Sequence, residues 1–463
     1  MKIAYRARPG FAGIVFALLA LLAGCSTYKD QLLAPQQPGI IGPEQVGSPT
    51  AADALRIGAL SRLKTATAGT TGTETMYTMG GLLTDEWKSG DTFSQRVETD
   101  QRTIQTSNAD VQSFYSAQHS ARGAAKDAID NLNKYLPEPK ANIAQMYWVM
   151  GLVEMQLSEA FCNGIPFGIT NDGIPTYGEP LTNQQGFTLA LAHIDSGLAL
   201  ATATDTFAVS TKNSLLVTKA RILIDQGNIA AGAALVSSVP TSYRWYVTFS
   251  LTTSDNPMLS FNSSQKRWVV GDSFDVTGVI KNALPFASAK DPRVPVTGSS
   301  INSSLKVAFD NATQLVSEAI WGRTDSAPII SGVDARLYEA EAKLQANDYV
   351  GMMAILNALR ASPQALGSAY STTAMSALPA PTTQKDAIDL YFREKAFWQF
   401  SRGTRLGDLR RLIRQYKRTQ DQVFPVVTFH KNGNPPYGTD VNFPVTTNEN
   451  PNPNFHGCID RNA

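Results

Sequence analysis

Histidine and cysteine are scarce: the 463 residues hold four of the first and three of the second. His119, His193, His430 and His456 lie far apart, and none stands in a ligand spacing such as H-E-x-x-H, so the sequence offers no metal site. There is no Walker A motif and no dinucleotide glycine fingerprint, and no cofactor is expected. Gly271–Asp272–Ser273–Phe274 has the letters of a Gly-Asp-Ser nucleophile motif. It lies mid-chain without a following D-x-x-H, and it reads as a turn. Asp85 and Glu86 are adjacent carboxylates, but nothing locates an opposing carboxylate for glycoside cleavage. Charge is scarce too. Only 17% of residues are charged, and 40 basic against 39 acidic residues leave a net charge of +1, which does not favour nucleic acid as a partner.

What is present begins at the N-terminus. Lys2, Arg6 and Arg8 form a positive region, and Phe11 to Ala23 is an apolar run too short to span a membrane comfortably. Leu22–Ala23–Gly24–Cys25 matches the bacterial lipobox, with Cys25 as the lipid attachment point; the alternative is an ordinary signal peptide with a chance cysteine. Lipidation there supplies more than one acyl chain, enough for stable anchoring. Ser26 follows where an inner-membrane retention signal would place Asp, which favours the outer membrane. Residues 1–24 read as the signal peptide and 25–50, rich in Pro, Gly and Gln, as a tether. With Cys25 set aside, Cys162 and Cys458 remain: one possible disulfide in an oxidising compartment, or two buried free thiols.

From residue 51 the pattern is helical. Residues 110–136 and 141–161 form a hairpin interrupted at Pro137 and Pro139, with Met146, Met150 and Met155 as core filler. Two helix–turn–helix units then resemble each other at an offset of about 120 residues. Ala220 matches Ala340, and Gly227–Asn228 matches Asn347–Asp348. This spacing predicts tetratricopeptide-like pairs. Between them, residues 239–330 scatter Trp245, Trp268 and Trp321 among Ser, Asn, Asp and Gly, and allow only short strands. Residues 385–416 are a second helical hairpin broken at Gly403, with Arg405, Arg410, Arg411 and Arg414 on its second half. Periodicity alone reads those arginines as a solvated basic face, with Asp408 accepting bidentate bonds at the corner.

The letters of that hairpin carry a resemblance. Arg393–Glu394–Lys395–Ala396, Gly403 and Arg405–Leu406–Gly407–Asp408–Leu409–Arg410–Arg411 are similar to the C-terminal signature of the SusD/RagB family of lipoproteins. Thr84–Asp85–Glu86, Asp291–Pro292–Arg293, Ala340–Glu341–Ala342 with Leu356–Asn357–Ala358–Leu359–Arg360, and Asn442–Phe443–Pro444–Val445 with Asn450–Pro451–Asn452 resemble further family blocks. Trp398 and Arg402 stand where the family is usually acidic; Ser331 replaces an expected Arg, and Asp334 an expected Glu. These departures lead us to expect weakened internal ion pairs.

The resemblance implies a mostly α protein, one SusD-like domain over 51–463. It comprises a tetratricopeptide-like frame (51–238 and 331–418), the loop and short-strand insertion 239–330, and a loop-like tail 419–463. It further implies a non-enzymatic, outer-membrane lipoprotein, anchored at the cell exterior. Such a protein binds a glycan or other nutrient and delivers it to a SusC-like TonB-dependent transporter, with the frame facing that partner. Sugars stack on aromatic planes, so Trp87, Trp245, Trp268 and Trp321 are the candidate ligand-stacking residues. The competing expectations are a lipid-anchored glycan hydrolase and a scaffold that binds only proteins.

Overall fold

The computed structural model describes residues 47–70, 72–171, 174–297, 307–364, 366–367, 370–431 and 433–463. The signal peptide, Cys25 and most of the tether lie outside them. The long helices are α1 (Pro49–Ala66), α2 (Met76–Leu82), α3 (Ser94–Gln101), α4 (Ala109–Tyr135), α5 (Lys140–Ala160), α6 (Asn183–Leu200), α7 (Thr206–Asp225), α8 (Ile229–Leu235), α9 (Gly332–Gln345), α10 (Tyr349–Ala361), α11 (Gln384–Trp398) and α12 (Arg405–Arg414). The mostly α reading holds. Among the described residues every sheet is a single antiparallel pair of strands, and no helix is long and apolar enough to cross a membrane.

Helix α5 is the axle. Nearly all its residues are buried, so it is apolar all round rather than along one stripe. It packs between α4 and α6 and reaches α7 and α12. Its two carboxylates inside the core are each matched by a cation from a neighbouring helix: Glu154 by Arg122 at 2.7 Å, and Glu159 by Arg221. The two hairpins expected from the internal repeat are α7–α8 and α9–α10, and α8 packs on α9. Both turns need a left-handed residue, supplied by Gly227 (φ +89°) and Asn347 (φ +57°), residue types that tolerate it at low cost.

The second half of the 385–416 hairpin departs from the periodicity reading. Its arginines are not a solvated face: Arg405, Arg410 and Arg411 are buried. Arg405 clamps Asp85 with two bonds of 2.7 and 2.8 Å, Arg411 pairs with Glu341, and Arg410 donates to the carbonyls of Glu159 (2.6 Å) and Phe161 (3.1 Å), capping α5 from a distant segment. Asp408 accepts Lys395 Nζ at 2.6 Å and Arg411 Nη1 at 3.3 Å, in place of a bidentate arginine. Glu394 takes both Arg293 (2.8 Å) and Arg360 (3.0 Å), which brings three sequence-distant motifs to one carboxylate.

The expected weakening of the ion pairs is also overturned, because the departures answer one another. Arg402 and Asp334 form a bidentate pair (2.9 and 2.8 Å), reinforced by Gln399 at 2.8 Å. Ser331 uses its hydroxyl and backbone to close a capping box with Asp334 at the start of α9. Burial pushes the Asp334 carboxyl up, but the Arg402 guanidinium overrides it and holds the group below its usual value. The tail is tied back by a disulfide between Cys162 and Cys458, whose Cα atoms are 6.0 Å apart.

Two outcomes follow from this packing. Asp334→Asn leaves a buried guanidinium without its counter-charge and is expected to cost about 3–5 kcal/mol in denaturant unfolding, whereas replacing both partners by Leu and Met costs far less. The second concerns pH. Glu86 sits under the α11–α12 corner, accepting from the Ser401 amide at 2.9 Å, and burial raises its pKa from 4.5 to about 8. Burial likewise raises Asp100 to about 7. A carboxyl whose folded value is raised stabilises fully below its unfolded value and loses that contribution as pH rises through the folded value. The unfolding midpoint is therefore expected to fall between about pH 4.5 and 8, and Glu86→Gln to flatten part of that slope.

Candidate functional site

Strand β1 (Trp87–Ser89) pairs antiparallel with β2 (Trp268–Val270), Trp87 opposite Val270 and Ser89 opposite Trp268. The pair fixes where the chain emerges at either end. On one side the turn Gly90–Thr92 delivers Phe93 to the start of α3; on the other, Arg267 precedes β2. The segment 307–314 closes over both, its backbone bonded to Gly90 and Lys266 (Asp310 N to Gly90 O at 3.0 Å, Phe309 N to Lys266 O at 2.9 Å).

These contacts build a layered stack of rings and guanidinium groups. The buried Trp268 ring lies 4.8 Å from the Arg96 guanidinium, which lies 5.1 Å from Phe93. Arg267 then lies 4.7 Å from Phe93 and 3.9 Å from Phe309. Asp91 binds both arginines, at 2.6 Å to Arg267, and Glu74 and Asp110 add further bonds to Arg96. Each cation is thus neutralised in the plane of the stack while its faces lie on rings. Burial opposes ionisation of Asp91, and the bonds from Arg267 and Arg96 overcome it and hold its carboxyl low. At the outer end Phe93 and Phe309 are 47% and 43% exposed. Two large apolar rings held rigidly in solvent around a half-buried guanidinium form an apolar platform with polar donors between its faces.

Beside this platform lies a hollow of about 100 Å³, lined by Lys88, Asp275, Val276, Ala312, Thr313, Gln314 and His430. It shares segments 88–93 and 307–314 with the platform. Three wider clefts lie elsewhere: two of about 600 and 520 Å³ meeting at Arg122 beside α4, and one of about 900 Å³ between α11, α12 and residues 418–423. His119, in the first of these, is driven down to about 3 by burial, with Arg122 adding to it.

Three of the four tryptophans require correction. Trp87 is 1% exposed, its indole donating to Ser401 Oγ at 3.0 Å and its ring against Phe400. Trp268 is 1% exposed and lies against Phe261, and Trp321, also buried, lies edge-on to Tyr370. Trp245, partly buried, packs edge-to-face on Trp148 at 4.7 Å. Trp87, Trp268 and Trp321 offer no free face to a ligand, while Trp245 keeps part of its surface in solvent. The largest aromatic side chains have the most surface to hide, and the frame hides them. Phe93, Arg267 and Phe309 were missed. A usable signal is present: each phenylalanine is a lone large apolar residue inside a polar turn sequence, Asp91–Thr92–Phe93–Ser94 and Phe309–Asp310–Asn311. Asp85 and Glu86, the adjacent carboxylates of the hydrolase reading, are both buried, the first committed to Arg405 and the second to Ser401. Among the described residues no group of three His, Cys, Asp or Glu is placed to hold a metal ion.

No protein-family model and no curated protein matches the sequence. Solved structures do. A SusD superfamily protein from Bacteroides vulgatus aligns with a TM-score of 0.64 at 14% identity, covering 89% of this chain and 99% of its own. One from Bacteroides thetaiotaomicron gives 0.63 at 12% identity, covering 89% and 100%. A SusD-like carbohydrate-binding protein from Bacteroides fragilis gives 0.57 at 11% identity, covering 79% and 86%. The chain has the SusD-like fold, largely helical with only short strands.

Proposed function

We propose that this protein is a surface-exposed, lipid-anchored glycan-binding protein that delivers its ligand to a SusC-like TonB-dependent transporter in the outer membrane. The observation that carries the reading is the Phe93–Arg267–Phe309 platform. Sugar rings present C–H faces to aromatic planes and hydroxyls to guanidinium and carboxylate groups, and this platform offers both. A glycan-binding role is in keeping with the SusD-like carbohydrate-binding protein from Bacteroides fragilis that shares the fold.

The geometry supports a protein held at one end and loaded at the other. Helix α4 has 27 residues, about 40 Å at 1.5 Å per residue. Arg96 ties the stack to Asp110 in its first turn, while Gly47, where the described chain begins, lies beside Tyr135 in its last. The chain thus joins the domain at Gly47, at the end of α4 away from the platform. The buried arginines of the α11–α12 corner are committed to carboxylates and carbonyls of the frame.

Phe309→Ala and Phe93→Ala are each expected to weaken glycan binding by about tenfold in calorimetric titration or affinity electrophoresis, the loss of one stacking face being about 1–1.5 kcal/mol. Unchanged affinity in both variants would remove the platform as the site. A tag placed after residue 463 is expected to recover a large TonB-dependent barrel from detergent-solubilised outer membranes. Recovery of no barrel, where other outer-membrane complexes survive, would rule out the transporter partnership.

A further inference from the structure

The hollow beside the platform contains polar groups that no described residue satisfies. His430 Nε2 lies 3.1 Å from the Ser89 carbonyl oxygen. A carbonyl only accepts, so Nε2 carries the proton, and in a neutral imidazole Nδ1 is left as a bare acceptor. The ring is neutral: burial drives it down to about 3, and the neighbouring Lys88 and Lys431 add to that. Nδ1 is buried and has no partner. Asp275 bonds Thr277 through Oδ1 (2.6 Å to the hydroxyl), while its Oδ2 is likewise buried and without a partner. Opposite them stands Lys88. It is buried at the centre of β1 and donates no hydrogen bond to any described residue, although Asp275, Asp100 and Asp272 face it through space.

Each such group carries a cost. An unpaired buried polar atom loses about 1–3 kcal/mol relative to a satisfied one, and a buried charge loses more. Two orphaned acceptors beside an ammonium with no hydrogen bond to a described residue, in one hollow of about 100 Å³, mark a place shaped for a further partner. Their inventory restricts that partner's chemistry. One donor, Lys88 Nζ, faces two acceptors, His430 Nδ1 and Asp275 Oδ2. A carboxylate has no proton for either acceptor and would sit against Asp275. An ammonium would meet Lys88. Two adjacent hydroxyls supply two protons for the acceptors and an oxygen for the ammonium, at no net charge. Lys88 and Ala312–Gln314, which line the hollow, are close in the chain to Phe93 and Phe309.

We infer that Lys88, Asp275 and His430 form a subsite for a vicinal diol, so that the protein selects glycans with free adjacent hydroxyls. This inference rests on the glycan-binding reading of the platform and adds the substrate class. Lys88 Nζ donates to one hydroxyl oxygen, and the two hydroxyl protons go to His430 Nδ1 and Asp275 Oδ2.

The test compares the full chain with Lys88→Met, Asp275→Asn and Phe309→Ala against a matched pair of probes, mannan and a mannan whose adjacent hydroxyls are blocked by O-methylation, in titration. Wild type is expected to bind mannan at least tenfold more tightly than the methylated polymer. Lys88→Met and Asp275→Asn are each expected to lose tenfold or more toward mannan. Lys88→Met should unfold at the wild-type temperature, since Lys88 Nζ donates no hydrogen bond to a described residue; this separates loss of binding from loss of fold. If Phe309→Ala weakens mannan binding while both hollow variants bind as wild type, or the methylated polymer binds as well as mannan, the diol subsite is overturned and the platform stands. A drop in the stability of Lys88→Met would make Lys88 a structural ion and overturn it as well. If a wider panel of neutral and acidic glycans all fail to bind wild type, the glycan reading fails and the subsite with it.

Discussion

A guanidinium taken out of water must be met by acceptors, most often a carboxylate, and this constraint organises the frame. The α11–α12 corner buries Arg402, Arg405, Arg410 and Arg411 together. Three of the four take a carboxylate from a different stretch of the chain: Asp334, Asp85 and Glu341. The fourth takes main-chain carbonyls at the end of α5. A misplaced helix would leave an ion unpaired at a cost of several kcal/mol, so these pairs specify the arrangement more than they add stability. Hydrophobic burial along α5 holds the helices together; the ion pairs decide which helix stands where.

The same device recurs on a smaller scale at the loop end. Asp91 neutralises Arg96 and Arg267, and their flat faces space the rings of Trp268, Phe93 and Phe309. The buried tryptophan serves as the foundation of a platform whose working surface is phenylalanine. Rigidity matters there because a pre-ordered ring loses little entropy on meeting a ligand. The loop end is therefore fixed by the frame through a chain of contacts, from α4 through Asp110 and Arg96 to the exposed rings.

Much of the frame was legible. The 3.6-residue periodicity, the proline break between α4 and α5 and the repeated turns at Gly227 and Asn347 each mark a local event. Such events depend on a few neighbouring residues, which a sequence displays directly. The family-like blocks were legible too, as letters. Their partnerships were not. Arg402 in place of an acidic residue looked like a lost ion pair, because the compensating Asp334 lies 68 residues away. The basic run of α12 reads as a surface for the same reason: nothing local shows that Asp85 and Glu341 will cover it.

The sequence by itself determined the mostly α class, the helical hairpins, the irregular insertion and the scarcity of metal and nucleophile chemistry. All of these are properties of composition and short-range spacing. Only the tertiary structure decided which aromatic rings meet solvent and which charges are sealed in. Exposure is a sum over neighbours brought from distant segments: Trp268 disappears beneath Phe261 and Arg96, and Phe309 remains outside because its loop is pinned to Gly90 and Lys266. No periodicity encodes that sum, which is why the platform and the hollow beside it appeared only once the chain was folded.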